Sequence, residues 1–343
     1  MTTPAEENKK KNAEESPTKK LLRRFVKVAI VLVVVAFLYL TVRRSIDELR
    51  GKEEFLSVLA DRWPWLVVAL FVSILAMFPA GIAWYQALRS FRQTAPWLPA
   101  FDAYFLGHLG KYVPGKAMVL IMRVGRLQPL GVGLRPAIVS VFVETLTMLC
   151  AGAVLGALLL VLLEVPVWLK VTALACVPIG LLFLTPHFFR IGLTIVAKSK
   201  IGRMPPEIPK AFTAWFMTRT TAWMLLGWIL QGTVGWLAML ALTDQPSLMT
   251  WNAWLSITAA VCLGAVTGFF SMLPSGAIVR ELVITWLLTP LVDQPTALAG
   301  AILLRLVNLL GELILISIIS GWNRVASKKN RVASKKVNSN ISA

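Results

Sequence analysis

Apolar positions in this chain come in long blocks rather than alternating with polar ones. Such blocks occupy residues 25–42 (broken only by Lys27), 64–86, 136–163, 167–187, 211–242 and 297–321. About 20 residues at 1.5 Å rise cross a hydrocarbon core, so each block is of spanning length. In hydrocarbon the backbone must satisfy its own hydrogen bonds, and these runs are far too long for barrel strands, which leaves helices. Two further stretches, 100–126 and 252–290, are apolar but interrupted by Pro and Gly. The pattern predicts an all-α polytopic membrane protein with eight hydrophobic segments: six full transmembrane helices and two Pro/Gly-broken segments, re-entrant or hairpin. Residues 1–24 and 323–343 are polar and charged, and read as disordered tails around a membrane domain at 25–322. The first block leads into Arg43 and Arg44 rather than a small-residue cleavage site, which reads as a retained anchor.

Composition removes the soluble alternatives. Apolar residues make up 57% and charged residues 15% of 343, against about 45–50% and about 25% in soluble domains. Trp63, Trp65, Trp97, Trp168, Trp251 and Trp322 stand at ends of apolar runs, as in interfacial aromatic belts. The three Cys lie inside apolar runs without metal-ligand spacing, and His108 and His187 are far apart, so neither a disulfide framework nor a metal site is expected.

The net charge of +18 is concentrated between the apolar runs. The N-terminal tail carries 7 basic and 4 acidic residues, segment 86–135 carries 7 and 1, segment 190–210 carries 5 and 1, and the tail from Asn323 carries 6 and none. Loop 43–62 has 5 of each sign. By the positive-inside rule the first four are cytoplasmic, loop 43–62 is external, and both termini lie on the cytoplasmic side of the inner membrane. Nucleic acid is therefore not needed to explain the basic charge. The tail repeats Arg-Val-Ala-Ser-Lys-Lys from Arg324 and again from Arg331, a polybasic segment suited to fixing topology or meeting anionic headgroups.

The interruptions carry the candidate chemistry. The first contains Gly110, Lys111, Tyr112, Pro114, Gly115 and Lys116, and the second Pro274, Gly276, Arg280 and Glu281. Pro removes a backbone donor and Gly permits positive φ, so both should break a helix. Pro114 and Pro274 are 160 positions apart, and the same offset relates the run 136–163 to 297–321. The charge pattern sets the two units, about 64–163 and 211–321, in opposite directions. An inverted repeat with broken segments at matching positions points to a transporter site between them.

Charges within the apolar runs are few and costly. Glu144 shares a helical face with Ser140 and Thr147, and Arg305 shares one with Asn308 and Glu312. The offset sets Glu144 opposite Leu304, next to Arg305, so a Glu144–Arg305 or Glu312–Arg280 ion pair between the units is expected. Lys111, Lys116, Arg280 and Arg305 should lend positive potential to one shared site for an anionic headgroup. Glu144 and Glu312 are candidate proton carriers.

The Gly-Lys-Tyr-x-Pro-Gly-Lys segment, the Pro-Ser-Gly-x-x-x-Arg-Glu segment and the final helix with an embedded Arg together resemble the lysylphosphatidylglycerol synthase transmembrane region, a flippase-like family, over about residues 25–321. The second motif departs from the family at Ile278, where a further Gly is expected. The resemblance implies a flippase that moves aminoacylated phosphatidylglycerol between leaflets. The cytoplasmic transferase domain of bifunctional members has no counterpart in the short segment after Trp322, so aminoacylation by this chain alone is not expected.

The reading that follows is a translocase for an anionic or aminoacylated phospholipid or related lipid, not an enzyme and without a cofactor. No Walker A segment is present in the sequence, so ATP would not drive it directly. The alternative is a non-transporting membrane subunit of a lipid-modifying or envelope-biogenesis complex; an intramembrane transferase lacks a readable acid/base pair. The partners implied are membrane lipids and, on the alternative, a separate soluble transferase or other lipid enzyme, with a homo-oligomer compatible with either.

Overall fold

The computed structural model describes residues 39–40, 43, 53–112, 117–197, 205–271, 273, 276 and 278–341. The chain divides into Met1–Arg44 and Ser45–Ala343. Of the first, Tyr39, Leu40 and Arg43 are described, all helical; the expected tail 1–24 and nearly all of the anchor 25–42 lie outside the described residues. The second unit carries the remaining described helices.

Its helices are α1 (Glu53–Asp61), α2 (Trp63–Ser90), α3 (Trp97–His108), α4 (Ala117–Leu127), α5 (Leu134–Leu160), α6 (Val167–Phe183), α7 (Pro186–Ala197), α8 (Glu207–Ala211), α9 (Ala214–Leu240), α10 (Trp251–Phe270), α11 (Val279–Leu288) and α12 (Gln294–Ile341). No strand occurs among the described residues. The protein is an all-α polytopic membrane protein. Helices α2, α5, α9, α10 and α12 are each long and apolar enough to cross a bilayer, and α6 with α7, bent by 66°, makes a sixth crossing if counted as one span. Apolar side chains face outward as well as inward, as hydrocarbon allows: α6 exposes Val171, Leu174, Ile179 and Leu182. Trp63, Trp97, Trp168 and Trp251 are exposed near helix ends, and Trp322 is exposed within α12.

Local chemistry explains the boundaries. Thr213 and Thr250 cap α9 and α10, each side-chain oxygen accepting a backbone N–H three residues on. The polybasic segment is helical, not irregular: α12 runs unbroken to Ile341 because nothing after Gly321 in it is Pro or Gly and Ala, Lys and Arg favour the helix.

The 160-residue offset is visible in the elements. Helix α5 opens at Leu134 and α12 at Gln294, and in both halves a long helix is followed by a helical arm, a break, a short helix and another long helix. Packing repeats too. Helices α2 and α9 lie against each other, α10 packs on α5 as α3 packs on α12, and α2 on α12 as α9 on α5. The halves differ in one arm: α3 has 12 residues, about 18 Å, while α10 has 20, about 30 Å and enough to span.

Each broken segment closes as a tight hairpin because glycine lets backbones touch. A Cβ on Gly110 would stand 2.5 Å from the Val119 backbone nitrogen, and one on Gly276 2.8 Å from the Gly268 backbone. Gly276 also sits at φ +66°, and Ile278 follows at φ +73°, at the position where a second Gly is expected. A β-branched residue there is strained by about 1–3 kcal/mol.

These contacts set three stability differences, measurable as thermal unfolding in detergent by circular dichroism. Gly276→Ala should destabilise by at least about 1–2 kcal/mol. Ile278→Gly should stabilise, because relief of strain exceeds the glycine entropy cost of about 0.5–1 kcal/mol. Gly125→Ala, with nothing within 4 Å of the added Cβ, should gain about 1 kcal/mol.

Candidate functional site

Two ion pairs sit at nearly equivalent places in the repeats. In the first, Arg123 of α4 donates to Glu144 of α5 at 2.8 Å, and the Tyr104 hydroxyl donates to the other carboxylate oxygen at 2.9 Å. Arg123 also lies over the Tyr104 ring, 4.0 Å from its centroid, and faces Trp84 at 5.5 Å. Gly107 makes room for it: a Cβ there would fall 2.4 Å from Arg123 Cγ. In the second, Arg305 of α12 donates to Glu281 of α11 at 2.9 Å. The offset carries Glu144 to within one position of Arg305 and Arg123 to within two of Glu281, so the charges are exchanged between the short and long helices.

The expected Glu144–Arg305 pair does not form, nor does Glu312–Arg280. Helices α5 and α12 make no extended contact, and Glu144 and Arg305 each find a partner on the short helix of their own repeat, which the hairpin already holds alongside.

Glu312, buried on α12, reaches instead into the first break. Lys111 stands 2.8 Å from Oε2, the Tyr112 hydroxyl donates to Oε2 at 2.9 Å, and His108 Nδ1 is 3.7 Å from Oε1. Oε1 itself has no hydrogen-bond partner. Tyr112 in turn lies within electrostatic reach of Arg280 and Arg305. Lys111 and Tyr112 at the first break thus close on Glu312 of the other half. Pro114, Gly115, Lys116 and Pro274 lie outside the described residues.

Other polar side chains tie the helices. Asn308 Oδ1 accepts from Ser73 at 3.1 Å and Gln231 at 3.2 Å. Ser140 and Thr147 are buried beside Glu144. Asp102, buried on α3, accepts from Arg126, Ser320 and Asn323. Asp102, Tyr104 and Arg123 were not singled out by sequence reasoning. The signal for Arg123 was the offset itself, which carries it to Val283, beside Glu281. A groove of about 220 Å³ lined by Arg92, Glu207 and Lys210 lies elsewhere and holds none of these groups. No group of His, Cys, Asp and Glu among the described residues is arranged to hold a metal ion.

Two glycine-closed hairpins at matching positions among long apolar helices, with charged side chains meeting between them, define an integral membrane protein of repeated architecture. The sequence model of the family described as "Lysylphosphatidylglycerol synthase TM region" matches residues 24–316. The chain belongs to that family, and its function is related to membrane lipid. A comparison with curated proteins finds no match.

Stripping one partner from a buried pair costs about 3–5 kcal/mol. Arg123→Gln should therefore lower thermal stability by that order, with Glu144→Gln recovering part of the loss in the double variant. Arg305→Gln and Glu281→Gln should couple in the same way. Glu144→Gln combined with Arg305→Gln should be additive within about 0.5 kcal/mol, as for separate sites; strong coupling there would contradict the pairing described.

Proposed function

We propose that the protein is a flippase-like translocase for an anionic or aminoacylated phospholipid or related lipid. The observation that supports this reading is the closure of the first break on the second half of the chain, where Lys111 and Tyr112 meet Glu312 of α12 and Tyr112 lies within electrostatic reach of Arg280 and Arg305. Broken helices at membrane depth are tolerated where they are sheltered in protein or line a cavity, and in transporters such breaks form the substrate site at the repeat interface. Lys and Arg there suit a headgroup phosphate. Glu312 occupies Lys111 until a phosphate competes for it.

The proposed orientation has both termini cytoplasmic. With the bent α6–α7 pair counted as one crossing, α2 and α9 run in opposite directions, which is the inversion alternating access requires. Directionality would come from membrane potential, a proton gradient or consumption of the lipid on one side.

In a Cys-free background, Arg50→Cys should be labelled only from outside the cell; labelling only from the cytoplasm would reverse the topology. Purified protein in liposomes should move a fluorescent headgroup-labelled phospholipid between leaflets, read by chemical quenching of the outer leaflet. Combining Lys111→Gln with Arg280→Gln should slow that movement at least about tenfold, the factor for about 1.4 kcal/mol of lost transition-state stabilisation. Wild-type rates equal to those of empty liposomes, with a membrane potential and a proton gradient imposed, would refute the reading.

A further inference from the structure

Glu144 and Glu312 are buried in similar settings, yet their oxygens are used differently. Both oxygens of Glu144 are engaged: Oε1 accepts from Tyr104, and Oε2 from Arg123 and Thr145. Glu312, 1% exposed, takes both of its contacts on Oε2, from Lys111 and Tyr112, and leaves Oε1 buried with no partner. The group facing that oxygen is the His108 imidazole, its Nδ1 at 3.7 Å, and His108 Nε2 is also buried without a partner. Glu281 leaves one buried oxygen open too, but its charged neighbours are Arg305 and Arg280, and a guanidinium does not give up its proton in a protein.

A neutral imidazole has one N–H and one vacant lone pair. Whichever nitrogen of His108 carries the hydrogen, the other is vacant, and Glu312 Oε1 is a second vacancy across a gap wider than the about 2.7–3.2 Å of a made N–H···O bond. The pair has room for one more proton. On Oε1 that proton cancels the carboxylate charge, removing the assistance that makes such a bond about twice as strong as a neutral one. On the imidazole it sets a second cation against the same carboxylate. Either way the hold on Lys111 weakens, and Lys111, 38% exposed beside a Glu312 that is 1% exposed, has a way out.

Among the described residues, the other titratable and charged groups facing this pair come from four elements and the first break. Tyr104 of α3 lies 4.8 Å from His108, ring to ring. Lys111 and Tyr112 stand at the break. Arg123 of α4 is within electrostatic reach of His108 and is matched by Glu144 of α5. Arg280 and Arg305 reach Tyr112 from α11 and α12.

We propose that His108 and Glu312 form a proton-binding site between the two repeats, where one proton shared by the imidazole and Glu312 Oε1 releases Lys111 from Oε2 and opens the ion pair that ties the first break to α12. The proton comes from solvent and returns to it, and Lys111 leaves as the ammonium it already is. The site stands on this contact; that a proton gradient drives lipid movement through it rests on the translocase reading.

The test exposes detergent-purified protein to a limiting amine-acylating reagent at about pH 5 and about pH 8, the range in which histidine ordinarily changes charge. Modification of Lys111 is read by mass spectrometry as a ratio to that of Lys210, exposed on α8, which cancels the general effect of pH on amine reactivity. In wild type the ratio should be at least about tenfold higher at the lower pH, the factor for about 1.4 kcal/mol of lost interaction. His108→Gln should flatten it, and His187→Gln, at the second of the chain's two histidines, should leave the rise intact. Glu312→Gln should give a high ratio at both values.

A wild-type ratio that does not rise overturns the proposal without recourse to any variant. So does a rise that survives His108→Gln, which is also what acid unfolding would produce, or a Lys111 that stays protected in Glu312→Gln. Release of Lys111 by protons in a protein that moves no phospholipid in liposomes refutes the translocase reading and leaves the site standing, so the two failures are distinguishable.

Discussion

A carboxylate in an apolar interior persists only with a cation or donor at its oxygens, and here that requirement decides which helices are tied to which. Glu144, Glu281 and Glu312 stand on three different helices, and each draws a cation from another element: Arg123 of α4, Arg305 of α12 and Lys111 at the first break. Buried pairs of this kind add little net stability compared with well-packed apolar residues, yet losing one partner costs about 3–5 kcal/mol. Against a typical total of about 5–15 kcal/mol that is a large share. The pairs therefore act as register pins. They forbid any arrangement of the helices that separates them.

The backbone obeys a parallel constraint. A chain that turns within a membrane domain frees N–H and C=O groups that need shelter, and both turns find it through glycine, Gly110 against Val119 and Gly276 against Gly268. The first hairpin rests in an aromatic core of Trp84, Tyr104 and Phe105 with Leu315 and Ile319 of α12. The second rests in an aliphatic one that includes Leu237, Ile257, Ile284 and Leu304. Ile278, held at positive φ, shows that the second turn is imposed by its surroundings rather than by its own preference.

Much of this was legible in the chain. Apolar blocks gave the long helices, Pro and Gly gave both interruptions, and the 160-residue spacing between Pro114 and Pro274 also separates the first residues of α5 and α12. The pairing was not legible, because an offset relates equivalent positions without saying whether they touch. Glu144 and Arg305 are nearly equivalent and do not meet as a pair; Arg123 was hidden among the seven basic residues of segment 86–135, where charge counting reads orientation rather than contact. The helix through Ile341 was not legible for a similar reason: composition reports that a segment cannot form a core, not that it cannot prolong a helix already begun.

Exchanged charges at equivalent positions follow from the symmetry of Coulomb attraction, which is unchanged when two partners swap signs. The short–long helix tie can thus persist in both repeats while its cation moves from α4 in one to α12 in the other. The exchange has a consequence. In the first repeat the guanidinium of the short helix is spent on Glu144 and stacked on Tyr104; in the second the short helix carries the carboxylate, and the neighbouring Arg280 is left without one. Within the charged cluster among the described residues, Lys111–Glu312 is the ion pair that joins the repeats, the further ties being hydrogen bonds such as Ser73 to Asn308 and Trp228 to the Met148 carbonyl.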